Sequence, residues 1–89
     1  MKAVITIVGH DAVGILAKAS GVCAARNAHI GDVTQTVMQE IFTMVMLVEI
    51  DRLSGSIAEL DADLAEALKG QGLVSQVMHE DIFNAMHRI

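Results

Sequence analysis

Apolar and polar positions divide the chain into six regular elements and a tail. Residues 2–8 are rich in Val, Ile and Thr in loose alternation, which predicts a strand buried on at least one face. The next segment, up to about Arg26, has apolar side chains at three- and four-residue spacing, which predicts a helix. The inner stripe of that helix consists of Ile15, Leu16, Ala19, Val22 and Cys23. Asn27 ends it, because Asn adopts the left-handed conformation at low cost.

Two further strands follow, joined by a tight turn. Residues 30–38 alternate polar and apolar side chains, which predicts a strand with one polar face. Residues 41–50 are apolar on nearly both faces, so this strand belongs in the middle of a sheet whose two faces are covered. The turn at Gln39-Glu40 makes the pair an antiparallel hairpin.

A second helix and a fourth strand complete the pattern. Ser54 is the expected cap of a helix that reaches Lys69, and the Gly-Gln-Gly segment at 70–72 stops it. The apolar stripe of this helix consists of Ile57, Leu60, Leu64 and Leu68. Residues 73–78 form the fourth predicted strand, and residues of about 80–89 form a short amphipathic helix.

This β-α-β-β-α-β order predicts an α+β, ferredoxin-like fold. Two helices pack on one face of a four-stranded antiparallel sheet, and a short C-terminal helix follows. The 89 residues allow one domain, residues 1–89. Because 53% of the residues are hydrophobic and the mean hydropathy is +0.49, the chain has more apolar side chains than one small core can bury. We therefore expect a homodimer.

Charge and composition exclude several classes of partner. The net charge is −5 and the six basic residues are scattered, which argues against nucleic acid, as does the absence of Trp and Tyr. The apolar stretch after Met1 is too short for a signal peptide or a membrane span, so we expect a cytoplasmic protein without membrane contact. Cys23 stands alone and is expected to be a small buried hydrophobe.

The segment between the first strand and the first helix is the main candidate for ligand chemistry. Unpaired N–H groups and the helix dipole make a helix start favourable for anions. The amides of residues 13–15 could hold a carboxylate, while Asp11 could cap the helix or meet an ammonium group. Apolar residues follow Gly14 where a nucleotide-binding loop has Lys and Ser or Thr. The alternative is a tight turn whose glycines only satisfy backbone geometry.

Catalytic and metal-binding patterns are absent from the sequence. No Ser-His-Asp or Cys-His set stands at recognisable spacing. Histidines and acids cluster in the tail, but no pair has a compact spacing such as His-x3-His. His10 and His29 could converge at the first loop, which would supply two nitrogens without an evident third ligand. We therefore predict no catalytic residue, no metal and no cofactor.

Three segments resemble the ACT domain family. The family pattern Asp-x-x-Gly followed by two apolar residues is met at Asp11, Gly14, Ile15 and Leu16, although Val13 replaces the usual Pro. The second strand opens with Asn-Ala-His-Ile at residues 27–30, where the family has Gly, an apolar residue, Asn and Ile. The ending, residues 78–89, is similar to the tail of small stand-alone ACT proteins of bacteria and archaea. The resemblance thus covers essentially the whole chain.

The resemblance implies a ligand-sensing module, usually for amino acids, that works as a dimer or a higher oligomer. In such domains the ligand commonly sits between the first loop of one subunit and the start of the second strand, often at a subunit interface. By position, the expected ligand-binding residues are His10, Asp11, Ala12, Val13, Gly14 and Ile15 on the loop, and His29, Ile30 and Gly31 on the strand. His29 replaces an Asn, so the hydrogen-bonding geometry, and with it the ligand, can differ from the family's common one.

Three functions follow from these observations. The leading hypothesis is a non-catalytic, dimeric regulatory module that binds an amino acid or a similar small metabolite. The alternative is an adaptor that docks on a partner enzyme without a ligand, with the loop purely structural. A third hypothesis is a small enzyme that uses His10 or His29 as an acid–base group.

Overall fold

The structure is a computed structural model that describes residues 1–10 and 14–86. Its elements, in chain order, are β1 (Lys2–Gly9), α1 (Ile15–Ala25), β2 (His29–Met38), β3 (Ile41–Glu49), α2 (Ile57–Ala67), β4 (Val74–His79) and α3 (Glu80–Met86). The predicted α+β order with a C-terminal helix is confirmed. The boundaries shift slightly: α2 ends two residues before Lys69, and β4 begins and ends one residue later than predicted.

The sheet has the strand order β2-β3-β1-β4, and every neighbouring pair is antiparallel. β3 lies between β2 and β1, so its predicted central position is confirmed. The prediction that both of its faces are covered is wrong for the single chain, because the face with Phe42, Met44, Met46 and Val48 is buried while the other face is only half-buried. In the β1–β3 ladder, Gly9 pairs with Phe42 at one end and Lys2 with Glu49 at the other. The β2–β3 ladder shifts register between Ile30 and Asp32, which leaves one extra residue on β2 and marks a bulge. Because β2 stands at one end of the strand order, it is an edge strand.

The core lies between one face of the sheet and the helices α1 and α2. Alternate residues of β1 and β3 point to this face, as the period of two requires. The buried core consists of Ala3, Ile5, Ile7, Ile15, Ala19, Cys23, Ala28, Phe42, Met44, Met46, Val48, Leu60, Leu64 and Leu68. Leu16 is an exception to the predicted stripe of α1, because its side chain is 40% exposed. Burial raises the pKa of the Cys23 thiol, since the thiolate would lose its hydration.

A capping box begins α2, at a different serine from the one predicted. The Ser56 side-chain oxygen accepts from the Glu59 amide at 3.1 Å, and Glu59 accepts from the Ser56 amide at 3.2 Å. The prediction of Ser54 as the cap is wrong, because only Ser56 has a glutamate three residues later to complete the box. Ser54 is used through its backbone instead, donating to the Arg26 carbonyl at 2.7 Å.

Acidic side chains of α2 bind the residue at the end of α1 and the backbone of β4. Arg26, at the end of α1, donates to Asp63 at 2.6 Å and to Glu59 at 3.1 Å. The hydrogen bond to Asp63 is the main reason that the pKa of Arg26 is raised. On the other side, Asp61 accepts from the Val77 amide at 3.1 Å. That bond satisfies a backbone donor on the outer edge of β4 and fixes β4 relative to α2.

Candidate functional site

The predicted ligand loop leaves the sheet at the end of β1. His10, the first residue after β1, is exposed. Gly14, with φ of 72°, directly precedes α1, and its carbonyl accepts from the Lys18 amide at 3.1 Å. Ile15 is buried in the core and anchors the start of the helix. The candidates Asp11, Ala12 and Val13, together with the predicted capping by Asp11, lie outside the described residues.

The connection between α2 and β4 lies beside Gly9, the last residue of β1. A Cβ atom built on Gly9 would lie 3.1 Å from the Gly72 carbonyl oxygen and 3.2 Å from the Leu73 Cα atom. Both distances are tighter than ordinary contact, so a side chain at Gly9 would require Gly72 and Leu73 to shift by a few tenths of an ångström. The sequence indicated residues 70–72 only as the stop of a helix. The structure makes them a second loop at the same end of the sheet.

The predicted residues of β2 lie at the opposite end of the sheet from the loop. His29 pairs with Glu49, and Glu49 pairs with Lys2 at the start of β1, whereas His10 follows Gly9 at its end. Seven residue steps of about 3.3 Å separate the two ends of β1 by about 23 Å. Within one chain, His10 and His29 therefore do not converge, and the sequence-based idea of a histidine pair at the loop is wrong for the single chain.

His29 and Ile30 line an open groove at their end of the sheet. Its volume is about 900 Å³. Asn27 lines this groove and turns the chain from α1 into β2. Its φ of 58° confirms the predicted left-handed conformation. The lining residues are Ser20, Ala24, Asn27, Ala28, His29, Ile30, Glu49, Asp51 and Arg52. Gly31, the third predicted residue of β2, lies beyond the groove at the bulge.

The groove adds three charged residues that sequence reasoning missed, Glu49, Asp51 and Arg52. The Asp51 carboxylate already accepts from the N-terminal ammonium of Met1 at 2.6 Å. Glu49 is the cross-strand neighbour of His29, and Arg52 lies in the connection from β3 to α2. A carboxylate and a guanidinium on one concave surface can bind groups of opposite charge, such as the two ends of a zwitterion. The pairing of Glu49 with His29 follows from the register, but no periodic pattern singles out Arg52.

Among residues 1–10 and 14–86, no three His, Cys, Asp or Glu side chains are grouped closely enough to hold a metal ion. None of the helices in these ranges combines the length and the apolar character needed to cross a bilayer.

Comparison with known proteins identifies the family. A family model described as an ACT domain matches residues 2–79. The chain belongs to the ACT domain family. A UPF0237 protein of Methanopyrus kandleri is 42% identical to this ACT domain over 88 residues, which cover 99% of the chain and 98% of the relative. A UPF0237 protein of Clostridium perfringens is 44% identical over 89 residues, which cover all of both chains.

A solved structure supports the same assignment. The ACT domain protein from Streptococcus pneumoniae matches this ACT domain with a TM-score of 0.79 and 34% sequence identity, over 98% of each chain. The ferredoxin-like fold and the resemblance to small stand-alone ACT proteins are therefore confirmed. Membership of this family points to a regulatory domain that senses a small molecule.

Proposed function

We propose that this ACT domain is a non-catalytic regulatory module whose homodimer binds an amino acid or a similar small metabolite. The ligand would lie between the loop at residues 10–15 of one copy and residues 29–31 of the other. The observation that carries the proposal is the placement of these two segments at opposite ends of one chain's sheet. A site that uses both segments needs two chains.

The free edge of β2 supports a dimer built through that strand. Within residues 1–10 and 14–86, β2 pairs only with β3, and every residue from 31 to 40 is exposed. Apolar side chains are exposed along this edge and its turn, namely Val33, Val37, Met38 and Ile41. A long edge strand with unpaired backbone groups and apolar side chains is a template for pairing with another strand.

Antiparallel pairing of two β2 strands would bring the two halves of the site to the same end. The start of β2 in the second copy would lie beside the end of β2 in the first, near Met38. The β3 neighbour of Met38 is Ile41, next to Phe42, which pairs with Gly9 at the end of β1. His29 of the second copy would thus reach the end of the sheet from which the loop of the first copy leaves. A two-fold axis would create two such sites.

The chemistry of the two halves suits a zwitterion. Unpaired amides at the start of α1 favour a carboxylate, and Asp11 offers a negative charge for an ammonium group. The groove around His29 adds Glu49 and Arg52, which can contact either end of the ligand or its side chain. Neutral His29 offers one hydrogen-bond donor and one acceptor, so it can also hydrogen-bond to a polar group of the ligand.

The test combines ligand binding with the oligomeric state. Calorimetry with the twenty common amino acids should give binding to the wild-type protein, and analytical ultracentrifugation should give a dimer. Asp11→Ala and His29→Ala should each abolish binding. Asp81→Ala and His79→Ala are matched controls outside the site, in α3 and at the end of β4, and should bind as the wild type does. No response to any amino acid would contradict the proposal.

The second candidate is an adaptor that docks on a partner enzyme without a ligand. Exposed apolar side chains on β4 and α3 favour it: Val74 is 71% exposed, Ile82 55% and Met86 66%. A stable complex with a purified partner enzyme in the absence of any metabolite would support this function. If Ile82→Ser and Met86→Ser leave that complex intact, these side chains do not form the docking surface.

A further inference from the structure

The outer face of the sheet, which points away from α1 and α2, is covered at one end only. Val4 lies on this face, because it alternates with the core residues Ala3 and Ile5. It is nevertheless only 4% exposed, and Met78, its neighbour on β4, is half-buried. The helix α3 contacts β1 and β4 and begins directly after β4. α3 therefore covers the end of the outer face that contains Val4.

The other end of the outer face is uncovered and apolar. Val8 and its neighbour Val74 are 36% and 71% exposed. On β2 and β3, Met38 and its neighbour Ile41 are 70% and 49% exposed. Each of the four strands thus contributes an exposed apolar side chain at the end of the sheet where β1 ends. In the described strands, the charged side chains of this face lie at the covered end: Lys2, Asp32 and Glu49.

The helix α3 carries apolar side chains that its own sheet does not cover. Ile82 and Met86 are one helical turn apart, and they are 55% and 66% exposed. A helix of this length is about 10 Å wide and about 10 Å long. Because β1 is about 26 Å long, each end of the outer face has room for one such helix. The chain's own α3 occupies one end, and the uncovered end has room for α3 of another copy.

We propose that the outer faces of two copies of this ACT domain pack against each other, with α3 of each copy on the uncovered end of the other. The two-fold axis lies in the plane of the sheet and at right angles to the strands, so it places the covered end of one face over the uncovered end of the other. Ile82 and Met86 of one copy then contact the second copy. The side chains that they contact there are Val8 and Val74.

Charge and area favour a second copy as the occupant of this face. The chain has a net charge of −5, so two copies approach best through a surface without charged groups. Exchange of the two ends also keeps the charged end of one face away from that of the other. Four strands about 4.8 Å apart and about 26 Å long give a face of about 500 Å². Two such faces bury about 1,000 Å², which reaches the size of a specific interface.

This interface goes beyond the dimer proposed through β2. Antiparallel pairing of two β2 strands has a two-fold axis perpendicular to the sheet, whereas the axis proposed for the outer faces lies in the plane of the sheet. Two perpendicular two-fold axes combine into a closed assembly of four chains. In that assembly the outer faces lie apart from the edge strand β2. We therefore expect the wild type to be a tetramer.

Sedimentation velocity of the wild type, Val74→Lys, Ile82→Asp and the variant with both substitutions tests the interface. Both side chains are exposed in the single chain, so the far-UV circular dichroism should not change. The wild type should sediment as four chains, and each single variant with half that mass. The double variant should recover the mass of the wild type, because opposite charges then meet between copies. β4 separates the two positions by about 17 Å within one chain, so this recovery requires a second copy.

Val37→Lys and Leu16→Lys are the controls. Val37 is 66% exposed on β2, so its substitution should break the β2 pairing and leave dimers held by the outer faces. Leu16 is 40% exposed on α1, outside both interfaces, and its substitution should leave four chains. A wild-type dimer that Val74→Lys and Ile82→Asp each reduce to monomers would support the outer-face contact and refute pairing through β2.

Two results would overturn the proposal. One is a mass of Val74→Lys and Ile82→Asp equal to that of the wild type; a partner enzyme whose binding these variants abolish would then be the occupant of this face. The other is a double variant that does not recover the wild-type mass, since α3 would then not lie over Val74 of another copy. Ligand binding tests the proposed function separately, because Val74→Lys keeps the β2 dimer and should bind the amino acid as the wild type does.

Discussion

Gly9 packs against Leu73 so closely that a side chain at Gly9 would overlap the Leu73 Cδ2 atom. The same Cβ would lie 3.2 Å from the Leu73 Cα atom. Leu73 in turn packs against the core. This contact holds the connection between α2 and β4 against the end of β1, directly before the candidate ligand loop in the sequence.

Gly9→Ala should therefore affect stability and ligand binding together. We expect the free energy of unfolding to fall by about 1–3 kcal/mol, because the added methyl group must displace Leu73 or its backbone. Urea denaturation measures this loss, and calorimetry should show weaker binding of the amino acid. Leu73→Ala in the same chain should recover part of the loss, so that the double variant is less destabilised than the sum of the single ones. Strict additivity would contradict the contact.

Ser56→Ala should lower the free energy of unfolding by about 1 kcal/mol, since it removes the side chain that caps α2. Ser54→Ala is the matched control two residues earlier. Because Ser54 contributes through its backbone, its substitution should change the free energy of unfolding by less than about 0.5 kcal/mol. Urea denaturation measures the free energy of unfolding of both variants. A larger loss in Ser54→Ala than in Ser56→Ala would show that Ser54 is the cap.

The capping serine illustrates how far the sequence predicts this fold. Alternation and helical spacing were sufficient for the element order and the central place of β3, because each depends on local periodicity. The choice of Ser54 over Ser56 overlooked a signal that the sequence contains, the glutamate at 59. The separation of His10 from His29 also follows from topology: β2 runs parallel to β1, so it starts where β1 starts. Arg52 becomes a candidate only through the tertiary contacts that form the groove, which no local pattern encodes.

Replacing Gly14 or Gly21 by alanine should change the free energy of unfolding in opposite directions, although both glycines have open space around them. A Cβ on Gly21 or on Gly14 would have no atom within 4 Å, so packing does not distinguish them. Gly21 lies within α1, where alanine gains about 0.5–1 kcal/mol over glycine. Gly14 has φ of 72°, where a side chain costs about 1–2 kcal/mol. Chemical denaturation should show Gly21→Ala stabilised and Gly14→Ala destabilised; a loss of stability in Gly21→Ala would indicate a contact with another copy.

Cys23 should make the stability of the protein fall at alkaline pH. Its pKa is raised in the folded state by burial, so the unfolded chain releases the thiol proton first, at about pH 8.5. Above that pH the unfolded state binds fewer protons than the folded one, and the free energy of unfolding decreases by up to about 1.4 kcal/mol per pH unit. In Cys23→Ala the contribution of the thiol is absent, so its free energy of unfolding should fall less between neutral and alkaline pH. Urea denaturation of both proteins at about pH 7.5 and about pH 10 measures the difference, and equal slopes would contradict it.

Mixing two inactive variants should restore ligand binding if the site takes the loop from one copy and His29 from the other. A homodimer of Asp11→Ala lacks the loop half of both sites, and a homodimer of His29→Ala lacks the strand half of both. A mixed dimer contains one site with both halves intact and one with neither. After random exchange of subunits, roughly half of the dimers are mixed, so about a quarter of the sites should bind. Calorimetry on the refolded mixture measures the number of sites. If all the ligand contacts came from a single chain, every chain in the mixture would still carry a defect, and binding would stay absent.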